Sequence, residues 1–300
     1  MALTRGSTLG AALVASLWLA ACGGTNDSDK NAEGGSKGDA GETGQSGSSA
    51  GGSSSNGGTA GSGGSSGGGF DCSATAEPSE LIEIPAGEFA MGCNEASDSA
   101  CDEDEKPQHT VSLSAFSIER TEVSQAQYTA CVLDGACTPP ACEWSCKNEN
   151  YPAGCVDLTQ AKAYCSWAER RLPTEAEWEK AARGEEGAIF PWGDAKPTCD
   201  LANLAGCGNA AKPVGSLKGG QSPYGVLDMA GNMVEMVADF YDEQYYASSP
   251  ESDPKGPTTG SRYVGRGGGF KSEGDWLRAS KRDWYDTTDS AASLGFRCAR

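Results

Sequence analysis

The chain has 300 residues with 42 acidic and 23 basic side chains, a net charge of −19, and 13 cysteines beside a single histidine. A polyanion such as nucleic acid would be repelled by that charge, so cations or basic partners are favoured instead. With one histidine available, zinc binding is a poor account of the cysteines.

At the N-terminus, Arg5 and an apolar run from Leu9 to Ala21 read as an export signal, too short to span a bilayer as a helix. The run closes on Leu19-Ala-Ala-Cys22, which is similar to the bacterial lipobox, whose cysteine becomes the lipidated first residue of the mature protein. Residues 1–22 are therefore expected to be a lipoprotein signal, with Cys22 as the anchor and a membrane as partner through lipid. The expected location is the bacterial cell envelope. Gly23 after the anchor carries no inner-membrane retention signal, which favours the outer membrane, facing the periplasm or the cell surface.

From 23 to 69 the chain is mostly Gly and Ser, with no aromatic or large aliphatic residue, and buries too little to offset its ordering entropy. This stretch is expected to be a flexible tether. Residues 70–300 form a segment ample for one hydrophobic core. Export suits disulfides, and lipidation of Cys22 leaves an even number of cysteines. Short spacings suggest Cys93 with Cys101 and Cys199 with Cys207, while the remaining connectivity stays open.

Along the domain, Asp102-Glu-Asp-Glu105 is an acidic run that suits either calcium or a solvated loop. His109, in Lys106-Pro-Gln-His-Thr110, reads as a hydrogen-bonded loop residue rather than a ligand. Helices are predicted near 123–133, 159–170 and 175–183. The third begins in Arg171-Leu-Pro-Thr-Glu-Ala-Glu177, where Thr174 and Glu177 form a capping box. Trp178, Ala181 and Ala182 share one face of it, and Glu179 with Arg183 makes an i, i+4 pair on another, as in an ordinary amphipathic helix.

Several segments resemble, in order, the sulfatase-modifying-factor family, whose founding member is the formylglycine-generating enzyme. They are Pro85-Ala-Gly-Glu-Phe-Ala-Met-Gly92, Thr121-Glu-Val-Ser-Gln-Ala-Gln-Tyr128, Ala163-Tyr-Cys-Ser-Trp167, the Arg171–Gly184 stretch with Phe190-Pro-Trp-Gly193, Pro223–Asn232, Arg266-Gly-Gly-Gly-Phe270 and Leu294-Gly-Phe-Arg-Cys298. Together they cover about residues 81 to 300, and ordered motifs carry far more weight than one alone. The resemblance implies an α+β, C-type-lectin-like fold with little regular secondary structure. It also implies an opening hairpin at 85–92 and a disulfide between Cys165 and Cys298.

The family's oxidase holds copper with two nearby thiolates, soft ligands for Cu(I). Aligned from Arg266, those positions are Ser272 and Leu277, and no cysteine occurs from Gly208 to Arg297. Copper is therefore not expected, and no catalytic residue is assigned. A second branch uses iron held by several histidines, which the lone His109 does not provide. Family calcium ligands map onto Asp228, the carbonyls of Gly231 and Met233, and Glu235, so structural calcium is expected there, the alternative being a plain turn. A second calcium maps onto Asn203 and Leu204, but its aspartate position falls near Gly206 and the site is expected to be weakened. The family's Gly-Asn-Val-Trp-Glu-Trp turn reads Gly231-Asn-Met-Val-Glu-Met236 here, with Met233 and Met236 consistent with an altered groove.

Two functions follow from different classes. One is a lipid-anchored domain without copper oxidase activity that binds a peptide, protein or glycan, with Trp276, Trp284 and Tyr285 as exposed or core aromatics. The other is an oxidoreductase that converts a sulfatase cysteine to formylglycine or otherwise activates sulfatases.

Overall fold

A computed structural model describes residues 76–144 and 148–300 of the protein, all within one unit, Ser65–Arg300. The signal with Cys22, the tether, and Cys72 and Cys146 lie outside the described residues. The fold is α+β with short elements: β1 (Leu81–Ile84), β2 (Gly87–Met91), β3 (His109–Leu113), β4 (Phe116–Glu119), α1 (Gln125–Leu133), α2 (Leu158–Trp167), α3 (Glu175–Arg183), β5 (Val234–Phe240), β6 (Arg262–Arg266), β7 (Arg282–Asp286) and β8 (Leu294–Phe296). The rest of the described residues form short 3-10 helices, turns and irregular chain.

All three helices start with a reciprocal capping box, Ser124 with Gln127, Asp157 with Gln160, and Thr174 with Glu177. Each box satisfies two orphan N–H groups, which lets helices of nine or ten residues begin sharply. The second helix ends three residues earlier than expected, because Glu169 turns into the left-handed region at φ 58°.

The opening segment does not close a hairpin. β1 pairs antiparallel with β4, while β2 pairs antiparallel with β3, so the two strands flanking Pro85 enter different sheets. The main sheet runs β7-β6-β5-β8, antiparallel except for the parallel pair β5 and β8. That parallel pair brings Val234, Glu235 and Met236 beside Leu294, Gly295 and Phe296, so two family motifs lie side by side.

Two apolar cores flank this sheet. One gathers Trp178, Ala181 and Ala182 of α3 with Phe89, Val111, Ile118 and Val237. The other packs Tyr128 of α1 and Tyr164 of α2 on Phe296, with Met236 and Cys165. Met233 is also buried, filling space between Gly154 and Gly295. Both methionines are core residues, Met236 standing where the family motif has a tryptophan and Met233 where it has a valine, so one indole of the interior gives way to a flexible side chain.

Five disulfides occur among the described residues: Cys93–Cys101, Cys131–Cys137, Cys142–Cys155, Cys165–Cys298 and Cys199–Cys207. Cys165–Cys298 spans 133 residues and ties α2 to the C-terminal segment inside the second core. Closing so long a loop restricts the unfolded chain strongly. Replacing both cysteines by alanine is expected to lower unfolding free energy by about 3–5 kcal/mol, read from denaturant curves of the oxidised protein. An unchanged midpoint would show that this bridge contributes nothing.

Candidate functional site

Helix α3 is the support of the site, and it has no solvated face: all nine of its residues are buried. The amphipathic expectation therefore gives way to a helix whose polar side meets arginines. Arg266 of β6 donates to Glu179 at 2.5 Å, Arg183 donates to the other Glu179 oxygen at 3.0 Å, and the Gly92 N–H donates to that same oxygen at 2.7 Å. Arg282 of β7 grips Glu175 through two bonds, of 2.7 and 3.1 Å. Charges removed from water this completely persist only when paired and hydrogen-bonded.

The acidic run 102–105 belongs to the same lattice. Glu105 is fully buried and takes a bidentate fork from Arg278, at 2.5 and 2.7 Å. Asp102 pairs with Lys281 and Asp104 accepts from Tyr241. The run is thus tied into the lattice at Glu105 while Asp102 and Glu103 stay exposed, and carboxylate oxygens of Asp102, Asp104 and Glu105 lie within 4.8 Å of one another, close enough to hold an ion. His109 stacks edge-on against Tyr246 at 5.1 Å, with Nδ1 3.0 Å from the Pro107 carbonyl.

Trp178 of α3 leads to the segment where calcium was expected. Its indole N–H donates to Glu235 at 2.8 Å, and Arg297 donates to both Glu235 oxygens, at 2.6 and 2.7 Å. Asp228, at φ 58°, accepts from the Gly215 N–H. Glu122, which was not singled out in the sequence, completes the group: Asn232 donates to both of its oxygens, at 3.0 and 3.1 Å. Glu122 lies 110 positions from Asn232, so no local spacing marks it.

Three buried carboxylates, Glu122, Asp228 and Glu235, therefore lie near one guanidinium, which is ion-paired with Glu235 and acts on the other two through its charge alone. Burial, reinforced by the Asp228 and Glu235 charges, pushes the Glu122 carboxyl well above the ordinary range, and burial also raises Asp228. Such an excess of buried negative charge fits a hard divalent cation. Among the described residues, the Gly231 carbonyl in this turn accepts no hydrogen bond. The side chain of Glu235 is already held by Arg297 and Trp178, which makes Glu122 and Asp228 the freer donors of the set.

The segment mapped to the second calcium lies against this one. Asn203 and Gly231 form a parallel bridge, and the Asn232 N–H donates to the Asn203 carbonyl at 2.8 Å. Gly231 sits at φ +78°, and a Cβ there would lie 2.4 Å from the Asn203 oxygen, so only glycine allows the approach. Asn203 Oδ1 is buried without a partner, but the Leu204 carbonyl already accepts from the Cys207 N–H. Gly206 supplies no carboxylate.

The positions aligned with the copper ligands have other work. Ser272 Oγ accepts from the Gly269 N–H at 2.9 Å, and the Ser272 carbonyl accepts from Ala205. Leu277 is fully buried with Phe190, Ala202 and Ala230. Neither offers a soft donor. Of the three aromatics, Trp276 and Trp284 are 42% and 41% exposed, each under a cation, Lys281 and Arg262 respectively. Tyr285 is half-buried against Tyr263.

The domain family described as "Sulfatase-modifying factor enzyme 1-like domain" matches residues 70–300. The chain belongs to this family. The formylglycine-generating enzyme of Streptomyces coelicolor is 31% identical, over 73% of this chain and 88% of its own length. Hercynine oxygenase of Mycolicibacterium smegmatis is 29% identical, over 68% of this chain and 57% of its own. Among solved structures, PvdO from Pseudomonas aeruginosa superposes with a TM-score of 0.63 at 26% identity, covering 74% of this chain and 94% of that one. Treponema denticola variable protein 1 superposes at 0.60 with 25% identity, covering 73% and 94%. Relatives in this family thus carry the names formylglycine-generating enzyme and hercynine oxygenase.

One buried acid of the α3 support gives a pH signature. Asp239 accepts from the Glu175 N–H at 2.9 Å, yet burial, with the Glu175 charge, pushes its carboxyl up to about 8. An unfolded aspartate titrates near 4, so between roughly pH 4 and 8 the folded state holds a proton that the unfolded chain has released. This group's contribution is greatest below about pH 4 and is lost as pH rises through 8. Asp239→Asn should flatten the decline of the thermal midpoint across that window relative to wild type. Parallel curves for the two proteins would refute the assignment.

Proposed function

We propose that the protein is an exported, lipid-anchored member of the sulfatase-modifying-factor family that works by binding or assembly, with a peptide, protein or glycan as ligand, and not as a copper oxidase. The observation that carries this reading is the occupancy of the two copper positions. Leu277 is a core side chain and Ser272 closes a turn, so the pair of thiolates that Cu(I) requires has no counterpart. Alignment slippage offers no rescue, since the chain has no cysteine from Gly208 to Arg297 and Cys199 and Cys207 are bonded to one another. Similarity to formylglycine-generating enzymes favours a second reading, activation of a sulfatase, and the same assay separates the two. Localisation by Cys22 lipidation, in the cell envelope and tied to the outer membrane, completes the proposal.

Incubated with copper and oxygen, the purified protein should leave a sulfatase-type cysteine peptide unchanged, as followed by mass spectrometry. Clear conversion of the cysteine to its aldehyde would establish the oxidase reading instead.

Calcium is proposed as the structural ion of the Glu122, Asp228 and Glu235 group. A ligand that binds only the folded state stabilises it by about 2.7 kcal/mol at a hundredfold excess over its Kd. Calcium should therefore raise the thermal midpoint over that in chelator, and the difference should vanish in Glu122→Gln/Asp228→Asn, which leaves Arg297 paired with Glu235. Identical melting of the wild type with calcium and with chelator would end the proposal.

A further inference from the structure

A pocket on the other side of α3 reverses the charge of the molecule. Acidic side chains outnumber basic ones by 42 to 23 in the whole chain, yet around this pocket Lys162, Arg170, Arg171, Lys255 and Arg300 face only Glu177 and Asp253. It lies between the β3–β4 turn, the end of α2, the segment leading into α3 and the loop around Pro254.

The two acids are already committed. Glu177 is forked by Arg171, both bonds at 2.6 Å, and Asp253 accepts from the Ser114 N–H and hydroxyl, both at 2.8 Å. Arg170 is likewise engaged with the buried Glu119. Among the described residues, Lys162, Lys255 and Arg300 make no ion pair, and all three are exposed on the rim. Beneath them the lining is apolar and buried, with Leu113, Phe116, Leu172 and Pro254.

We propose that this pocket binds a peptide segment in which acidic side chains flank an apolar one: the apolar side chain enters between Phe116 and Leu172, and carboxylates pair with Lys162, Lys255 and Arg300. Charge complementarity names the acidic partner. The screening length of about 8 Å at physiological salt lets three local cations dominate over the more distant negative surface. The same limit argues against a long polyanion, which would run off the pocket onto repelling carboxylates. Strand addition is not the mode: β3 already receives the Glu251 carbonyl at Ser112, and Ser117 of β4 exchanges both backbone bonds with Arg300. Recognition here falls to side chains.

The test uses a fluorescein-labelled peptide of alternating glutamate and leucine, titrated with the full chain by fluorescence anisotropy. Saturable binding is expected in the micromolar range, weakening with added salt, and at least about tenfold weaker to K162E/K255E, whose positions are exposed and leave the core untouched. A second variant, K196E/K218E, changes net charge equally at exposed sites outside the pocket and should bind as wild type does. The proposal is overturned by any of four results: no saturation up to about 1 mM, equal binding of the corresponding glutamine–leucine peptide, equal loss in both variants, or retention in K162E/K255E. Displacement of the peptide by a sulfated oligosaccharide at lower concentration than unlabelled peptide would transfer the site to glycans and likewise overturn it.

Discussion

The rest of this structure depends on buried arginines meeting buried glutamates around one short helix. Arg266, Arg282, Arg278 and Arg183 are all nearly inaccessible, and each finds its carboxylate on α3 or on the 103–105 turn. Dehydrating such ions costs several kcal/mol apiece, recovered only when the partner arrives in good geometry with its remaining donors satisfied. Arg266 meets most of that requirement with carbonyls, its terminal nitrogens donating to Ala279, Ser280 and Lys281 as well as to Glu179, while its Nε–H is buried without a partner. The lattice therefore acts as a lock on arrangement: displacing β6 or β7 relative to α3 would strand charges in the interior. In a domain with so little regular secondary structure, this does the positioning that long helices do elsewhere.

The candidate metal group hangs on the same frame. Trp178 belongs to α3, Arg297 to the C-terminal segment, and together they fix Glu235, from which the turn through Asn232 and Gly231 is suspended. The two positions that the family resemblance aligns with copper ligands hold nothing of comparable weight. Ser272 closes a local turn, and Leu277 belongs to a small satellite core with Phe190, Ala202 and Ala230. Neither residue takes part in the arginine–glutamate lattice, so side chains at these two positions can change without loosening it. The basic pocket beyond α3 draws on the frame too, since Thr174 and Glu177 at the helix start form part of its wall.

Local hydrogen-bond logic was legible in the sequence wherever donor and acceptor lie within a few residues. Thr174 and Glu177 announced the start of α3 to the residue, and Cys93–Cys101 and Cys199–Cys207 followed from short spacing. The order of motifs identified the family, and the absence of cysteine from 208 to 297 was readable without any coordinates. These are properties of composition and near neighbours. Tertiary structure alone decided the rest: that β1 seeks β4 instead of β2, that the polar face of α3 is buried, that Glu105 is an interior ion, that Glu122 joins Asp228 and Glu235, and that five cations gather in a strongly acidic molecule. Each of these depends on a partner tens to more than a hundred residues away. Side-chain type records what a residue needs, a counter-ion or an apolar neighbour, but which distant residue supplies it is chosen only when the whole chain closes around a single packing.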